Sequence, residues 1–413
     1  MQLSHVVLST LQEVVQCFPF YYTSRMQPFH PLATDADISS EELAHAQAEC
    51  ALALGRLDGL LAGLPESEER LFCAGLLRTV LLSALAQAGF ADAELCFNAW
   101  FAGLDRAPQE TPLTPCSAHA VVRALLGELS HHPWQPLAEA AQTVALAARF
   151  SADRPEQVED TLAGEAIARA TELARPVGAH GDTLLPFAGL TRLHALLRHD
   201  PLFAPVERAM RAFSFGGRDV AIEQTPPRTP LWAVDAVLGR VMTECGAWRL
   251  ALPCPGATTA EALQPHLWPG ERAMVAARSL QGSVARLAGL IADARARAAL
   301  MRMHLGRLRS SARAPLVWIQ LAAFAPLGLD QMTSAFGVSR RGTYAVGDAL
   351  ISAGVARREI VKGKVLLVAD EPRRDRLSPS LDQAPALPRP ALAEFEAAMA
   401  EVDRLLTGSS GQP

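Results

Sequence analysis

The run Phe336-Gly337-Val338-Ser339-Arg340-Arg341-Gly342-Thr343-Tyr344 has residue types and spacing suited to molecular recognition. Glycine tolerates positive φ in a tight turn, serine accepts an orphan amide at a helix start, and helix N-termini attract phosphate. Val338 seals a small core behind the turn. Arg340 and Arg341 fall where side chains reach phosphates or guanine edges, Tyr344 lies one turn on, and Val346 and Leu350 face inward. The chemistry implied is contact with duplex DNA, with Ser339, Arg340, Arg341 and Tyr344 as base- or phosphate-facing candidates. Further along, Arg357, Arg358, Lys362 and Lys364 are candidates for backbone contact.

These residues need a scaffold, and the flanking pattern supplies one. Leu316 to Phe324, Leu329 to Phe336 and Arg340 to Ala353 read as three short helices. Two β-branched runs follow, Val355 to Val361 and Val365 to Val368, joined by Lys362-Gly363-Lys364. Three helices and a hairpin are the layout of a winged helix-turn-helix, expected over 313–370.

Ahead of it most of the chain reads as helix, so the fold class expected is mostly α: a multi-helix bundle body, a long heptad-patterned helix and the C-terminal winged unit. An N-terminal segment 1–34 precedes a helical body over 35–225. Ser39-x-x-Glu42 is a capping box, and helices follow at Leu43 to Leu61, from Ser67 to Gly89, Glu94 to Leu104, Ala118 to Leu129, Leu137 to Ala174, Leu184 to His199 and Phe203 to Phe213. Gly216-Gly217-Arg218-Asp219 reads as a turn. The prolines 226, 227 and 230 mark a boundary to a second block, 226–312, which opens with a helix over Leu231 to Trp248 and a short one capped by Thr258-x-x-Glu261.

From Glu271 to Arg309 the apolar positions Leu280, Val284, Leu287, Ile291, Ala294, Ala298, Met301, Leu305 and Leu308 alternate spacings of four and three, a narrow heptad seam. Such a seam packs either on the chain's own bundle or on a second copy, and a homodimer through Leu280, Val284, Leu287, Ile291, Met301 and Leu305 is one expectation. The stretch 371–390 reads as a Pro/Arg-rich linker, and 391–413 as a small amphipathic docking helix and tail.

Charge placement agrees with the motif. The chain of 413 residues has a net charge of −5, and 36 of its 38 basic residues are arginine. Between Arg286 and Lys364, thirteen basic residues stand against four acids, a local charge of +9 that leaves −14 on the remainder. An acidic body with a basic end is the footprint of a DNA reader. Both lysines of the chain lie in the expected wing loop, where flexible point charges suit phosphate.

Other chemistry finds less support. The only Gly-Lys pair, Gly363-Lys364, is followed by Val365, which excludes a Walker-type phosphate loop. Neither a Gly-x-Ser-x-Gly elbow nor a Gly-x-Gly-x-x-Gly after a strand occurs. The seven cysteines lie scattered in apolar stretches without a Cys-x-x-Cys, as buried reduced thiols of a cytosolic protein would. His131-His132, His180 with Asp182, and His194 with His199-Asp200 lack zinc-protease spacing and read as core-edge or surface histidines. No metal, cofactor, secretory signal or membrane span is expected.

The architecture resembles a family of alphaproteobacterial proteins, often plasmid-encoded in rhizobia, that pair a helical domain of unknown function with a C-terminal helix-turn-helix. The resemblance covers about Asp35 to Asp370. It rests on Leu76-Leu77-Arg78, Ala99-Trp100-Phe101-Ala102-Gly103, Arg307-Leu308-Arg309-Ser310-Ser311 and the Gly337-Val338-Ser339 turn. The same order of parts also resembles that of Fic-domain proteins, which transfer nucleotidyl groups to hydroxyls. That reaction needs His-Pro-Phe and Gly-Asn-Gly-Arg, whereas His30-Pro31 is followed by Leu32 and the lone Asn98 lies between Phe97 and Ala99. The function expected is therefore non-enzymatic duplex-DNA binding, as a transcriptional-regulator-like or plasmid-associated factor. The alternative is a protein-interaction, scaffold or antitoxin-like module that uses the winged unit and the C-terminal helix.

Overall fold

The computed structural model describes residues 40–109, 115–150, 157–178, 186–206, 209–215, 218–224, 228–306 and 313–370. The expected segments 1–34, 371–390 and 391–413, with Cys17, His30, His180, Asp182 and Leu308, lie outside the described residues. Among those described the protein is mostly helical, with twelve α-helices and two small antiparallel sheets.

The body begins with α1 (Ser40–Ala62) and α2 (Glu66–Ala88), two long helices joined by a short turn. Gly89, at φ 106°, ends α2, as the sequence pattern anticipates, because the left-handed cap costs glycine no Cβ clash. Next come α3 (Ala93–Phe101), α4 (Ala118–Leu129), α5 (Gln135–Ala147), α6 (Gln157–Gly178) and α7 (Pro186–His199). Ser117 caps α4 by accepting the Ala120 amide at 3.2 Å. By length and composition α2 is apolar enough to cross a membrane, but here Phe72, Leu76, Leu77, Leu81 and Leu85 are buried in the core. Its neighbours are α4, α5, α8 (Leu231–Glu244), α9 (Pro269–Leu305) and α10 (Ala314–Phe324).

One expected helix is replaced. Phe203 to Phe213 does not continue as helix; Ala209–Phe215 and Arg218–Gln224 form an antiparallel hairpin, β1 and β2, paired from Ala209 with Gln224 to Phe215 with Arg218. The signal for it was in the chain: β-branched Val220 and Ile222 opposite an aromatic run, separated by Gly216-Gly217, favour paired strands over one helix.

The heptad helix is α9, 37 residues and roughly 55 Å long at 1.5 Å per residue. Its seam is intramolecular. Leu280, Val284, Leu287, Ile291, Ala294, Ala298 and Leu305 are buried, Met301 is half-buried, and the helix lies along α1 and α2 of the same chain. The residues the sequence offered for a homodimer seam, half-buried Met301 apart, bury their apolar surface within the chain, chiefly along α1 and α2. Small Ala294 and Ala298 permit the close approach, but the approaching helices belong to the chain itself.

The cysteines follow the expected pattern in part. Cys50, Cys73, Cys116 and Cys254 are buried thiols outside any disulfide, whereas Cys96 and Cys245 are partly exposed. His132 and His194 are buried, whereas His131 and His199 are exposed. His132 accepts the Trp134 amide on Nδ1 at 3.1 Å and donates from Nε2 to the Ala251 carbonyl at 2.7 Å. His194 on α7 is buried, with Nε2 unpartnered, and burial, helped by the Arg198 charge, pushes its pKa down to about 4.

A pH dependence follows. On acidification the unfolded chain takes up this proton first, near 6.5, so the contribution of neutral His194 is complete above that value and is lost as pH falls toward 4. Asp235 on α8 works in the opposite direction: burial raises its pKa to about 7, so stability declines as pH rises from about 4 to 7. Replacing His194 by Leu isolates one limb. Relative to this variant, the native chain is expected to lose on the order of 2 kcal/mol between pH 6.5 and 4, read as a difference of urea-unfolding free energies. A constant difference across that range would reject a buried neutral imidazole.

Candidate nucleic-acid interface

The C-terminal head comprises α10, the short strand β3 (Leu327–Gly328), α11 (Leu329–Phe336), α12 (Arg340–Ser352), β4 (Ala356–Val361) and β5 (Lys364–Ala369). The strands form one antiparallel sheet in the order β3-β5-β4. Between α11 and α12 only Gly337, Val338 and Ser339 intervene, and Gly337 sits at φ 60°. That left-handed residue closes α11 and lets the chain turn at once into α12.

Ser339 starts α12 as its residue type predicts, with Oγ accepting the Gly342 amide at 3.1 Å. On the inner face Leu350 is fully buried and Val346 partly so. Two inward residues were not singled out from the sequence. Thr343 is fully buried; its hydroxyl lies 3.1 Å from the Ser339 carbonyl and 3.1 Å from the Thr333 hydroxyl, joining α12 to α11. Gly347 is buried where α12 faces the sheet, and a Cβ there would meet Leu367 Cδ1 at 3.4 Å. A threonine and a glycine inside a helix carry no apolar periodicity, so pattern reading passes over them.

On the outer face Arg340, Arg341 and Tyr344 are exposed. Both arginines lack an ion pair or side-chain hydrogen bond among the described residues, a condition shared within Arg286–Lys364 only by Arg313 at the start of α10. The other described cations of this basic region are engaged. Arg295 and Arg302 approach Glu68, Arg286 and Arg297 donate to the Pro255 and Ala322 carbonyls, and Arg358 pairs with Asp348 at 2.7 Å. Arg357 pairs with Glu359 at 2.8 Å and approaches Asp370 at 3.7 Å. The local excess of positive charge is real in the sequence, but much of it is neutralised in place.

The two lysines depart most from expectation. Lys362, at φ 49°, and Gly363, at φ 76°, make the tight hairpin turn between β4 and β5, but the ammonium groups face the chain's own body. Lys362 Nζ donates to the Leu104 carbonyl at 2.5 Å and Lys364 Nζ to the Gly103 carbonyl at 3.1 Å. These carbonyls sit just beyond the C-terminus of α3, where the helix dipole favours cations. The two lysines expected to meet phosphate are exposed, and in this arrangement they fasten the turn to the body.

A second helix C-terminus completes the docking. Arg149, just after α5, donates from Nη1 to the Leu146, Ala147 and Ala148 carbonyls and reaches α11 through Asp330 and Ser334. Beneath it lies buried Gln331, whose Nε2 donates to the Phe101 and Ala147 carbonyls at 3.0 Å each while Oε1 accepts the Gly328 amide at 2.8 Å. Phe324 of α10 joins Phe97 and Phe101 of α3 in an aromatic cluster with Phe150, at centroid separations of 5.3–6.3 Å among these four. The head is therefore seated on α3 and α5, with the N-terminal turn of α12 pointing outward.

Replacing Lys362 and Lys364 by Ala tests this placement. If the head binds duplex DNA with the turn held to the body in this way, the salt dependence of that binding is expected to stay unchanged, because both ammonium groups donate to body carbonyls. A slope reduced by nearly two would return the lysines to the nucleic acid.

Among the described residues no group of three or more His, Cys, Asp or Glu side chains is arranged to hold a metal ion. No known family matches the chain, and no curated protein matches it.

Proposed function

We propose that the protein is a non-enzymatic DNA-binding protein whose C-terminal head acts as a winged helix-turn-helix. In this reading α11 and α12 are the helix pair, α12 enters the major groove by its N-terminal turn, and β4–β5 is the wing. One observation carries it: Arg340 and Arg341 stand exposed on a serine-capped helix start with no ion pair or side-chain hydrogen bond among the described residues, in a region where nearly every other described cation is ion-paired or bonded to a carbonyl. An unpaired double arginine at a helix N-terminus offers two guanidinium forks and a positive dipole end to the same phosphate or guanine.

The wing plays a smaller part than in a free winged unit, because its turn is fastened to the body. Contact is concentrated on α12, with Ser339 and Tyr344 flanking the arginines. Arg357 and Arg358 contribute where their carboxylate partners can be exchanged for phosphate. A role in transcription regulation or in plasmid maintenance is consistent with such a reader.

Fluorescence anisotropy of a random 30-base-pair duplex, titrated at several salt concentrations, tests the proposal. Binding that weakens linearly in log–log form with added salt supports it. The absence of any salt-dependent binding rejects DNA as the partner and favours the protein-interaction reading. Selection from random duplexes would then define the sequence preferred.

A further inference from the structure

Away from the head, a cleft of about 1500 Å³ opens between α2, α9, the approach to α8 and the 256–260 loop. Arginines from three separate elements line it: Arg78 of α2, Arg286 of α9 and Arg228 ahead of α8. Among the described residues Glu94 is the one acidic side chain in the lining. Convergence of three guanidiniums on one concave surface is electrostatically unfavourable unless something anionic lies between them.

Among the described residues none of the three arginines has an ion pair. Arg78 is half-buried and has no ion pair or hydrogen bond among the described residues. Burial holds its guanidinium below the usual range; Glu94 offsets this in part, and the nearby Arg297 adds to it. Arg228 is exposed at the rim and likewise unpaired. Arg286 donates one N–H to the Pro255 carbonyl at 2.5 Å, a contact that aims the guanidinium without neutralising it.

The wall beside them is rigid. Buried Asp235 accepts from Gln87 Nε2 at 2.6 Å, from the Gly256 amide at 2.6 Å and from the Thr258 amide at 2.7 Å, which fixes the loop against α2. Gly256, at φ 71°, admits Arg286: a Cβ there would fall 2.7 Å from its Nη2. Gln87 Oε1 is buried and has no partner. The cleft thus combines a fixed polar wall and three cations held by different elements. Its volume exceeds the few hundred cubic ångströms typical of small ligand pockets, leaving room for more than a bare ion.

We propose that this cleft binds a small molecule through an oxyanion group, phosphate or carboxylate, gripped by Arg78, Arg228 and Arg286. The arginine forks suit planar carboxylate and tetrahedral phosphate alike, and the apolar lining from Leu82, Phe90 and Leu231 accommodates the rest of the molecule. The site lies in the body, distinct from the exposed turn of α12, and its occupancy can be measured without DNA.

Isothermal titration of the full chain with pyrophosphate, and separately with citrate, tests the assignment. The expected result is saturable binding of at least one of them at one site per chain. Arg78→Gln and Arg286→Gln should each weaken it about tenfold, as should Arg228→Gln, whereas the double change R340A/R341A should leave it intact. Preference for pyrophosphate assigns a phosphoryl group to the ligand, and preference for citrate a carboxylate. No saturable binding of either probe up to about 20 mM overturns the proposal, as does binding that survives Arg228→Gln undiminished. Because Arg228 is exposed, that variant keeps the test decisive even where loss of half-buried Arg78 disturbs folding.

Discussion

Replacing Arg340 and Arg341 together by Ala is expected to lower duplex affinity by roughly a hundredfold, about 3 kcal/mol, while the far-ultraviolet circular dichroism stays that of the native chain. Both side chains are exposed and have no hydrogen bond or ion pair among the described residues, so the loss is expected to fall on binding. If both neutralise phosphates, the slope of log K against log salt also falls, by about 0.9 for each contact removed. If either reads a guanine edge, discrimination between sequences shrinks instead. Arg357→Ala and Arg358→Ala supply the comparison. These arginines already pair with Glu359 and Asp348, and removing them should matter less. An R340A/R341A chain that binds duplex as tightly as the native one would end the proposal that α12 is the reading helix.

Replacing Gln331 by Ala should have the largest effect on the fold. The side chain is buried and makes three hydrogen bonds, two to carbonyls of the body and one to the Gly328 amide. The Phe101 and Ala147 carbonyls keep a second donor in Arg149, but the Gly328 amide loses its side-chain acceptor. With the three bonds and the desolvation of the orphan combined, the cost is about 3 kcal/mol. The urea midpoint should drop, and the amides of 327–336 should exchange faster than those of α1 and α9. Gln331→Glu sharpens the test: an ionised carboxylate cannot donate to either carbonyl, so this variant should be less stable at neutral pH than in acid, where protonation restores one donor. A variant as stable as the native chain would mean that the head is not seated through this residue.

These two positions differ in how visible they are in the chain. Arg340 and Arg341 announce themselves locally, since a Gly-Val-Ser turn followed by charged residues at a helix start is a pattern of neighbours. Gln331 does not. It is one polar residue in a short amphipathic helix, and its partners are 184 and 230 positions away in sequence. The lysines show a related limit. Their rarity and their place in a hairpin turn suggested phosphate, but whether an ammonium meets DNA or a helix C-terminus depends on where the body lies, which no local pattern records. The cleft arginines are likewise invisible one at a time, because Arg78, Arg228 and Arg286 converge only when α2, α9 and the approach to α8 are packed.

Sequence alone determined the helical character, most helix boundaries, the tight turn at Gly337 and the exposed double arginine, because each depends on interactions among residues a few positions apart. Capping, left-handed glycine and helical periodicity are properties of that range. The tertiary structure decided the rest. It turned the heptad seam inward onto α1 and α2, paired β1 with β2 where a helix was expected, and set the head against α3 and α5. It also consumed most of the basic region in ion pairs and carbonyl contacts. The physical reason is the same in each case: an apolar seam or an unpaired cation specifies the kind of partner it needs, and only packing selects which partner arrives.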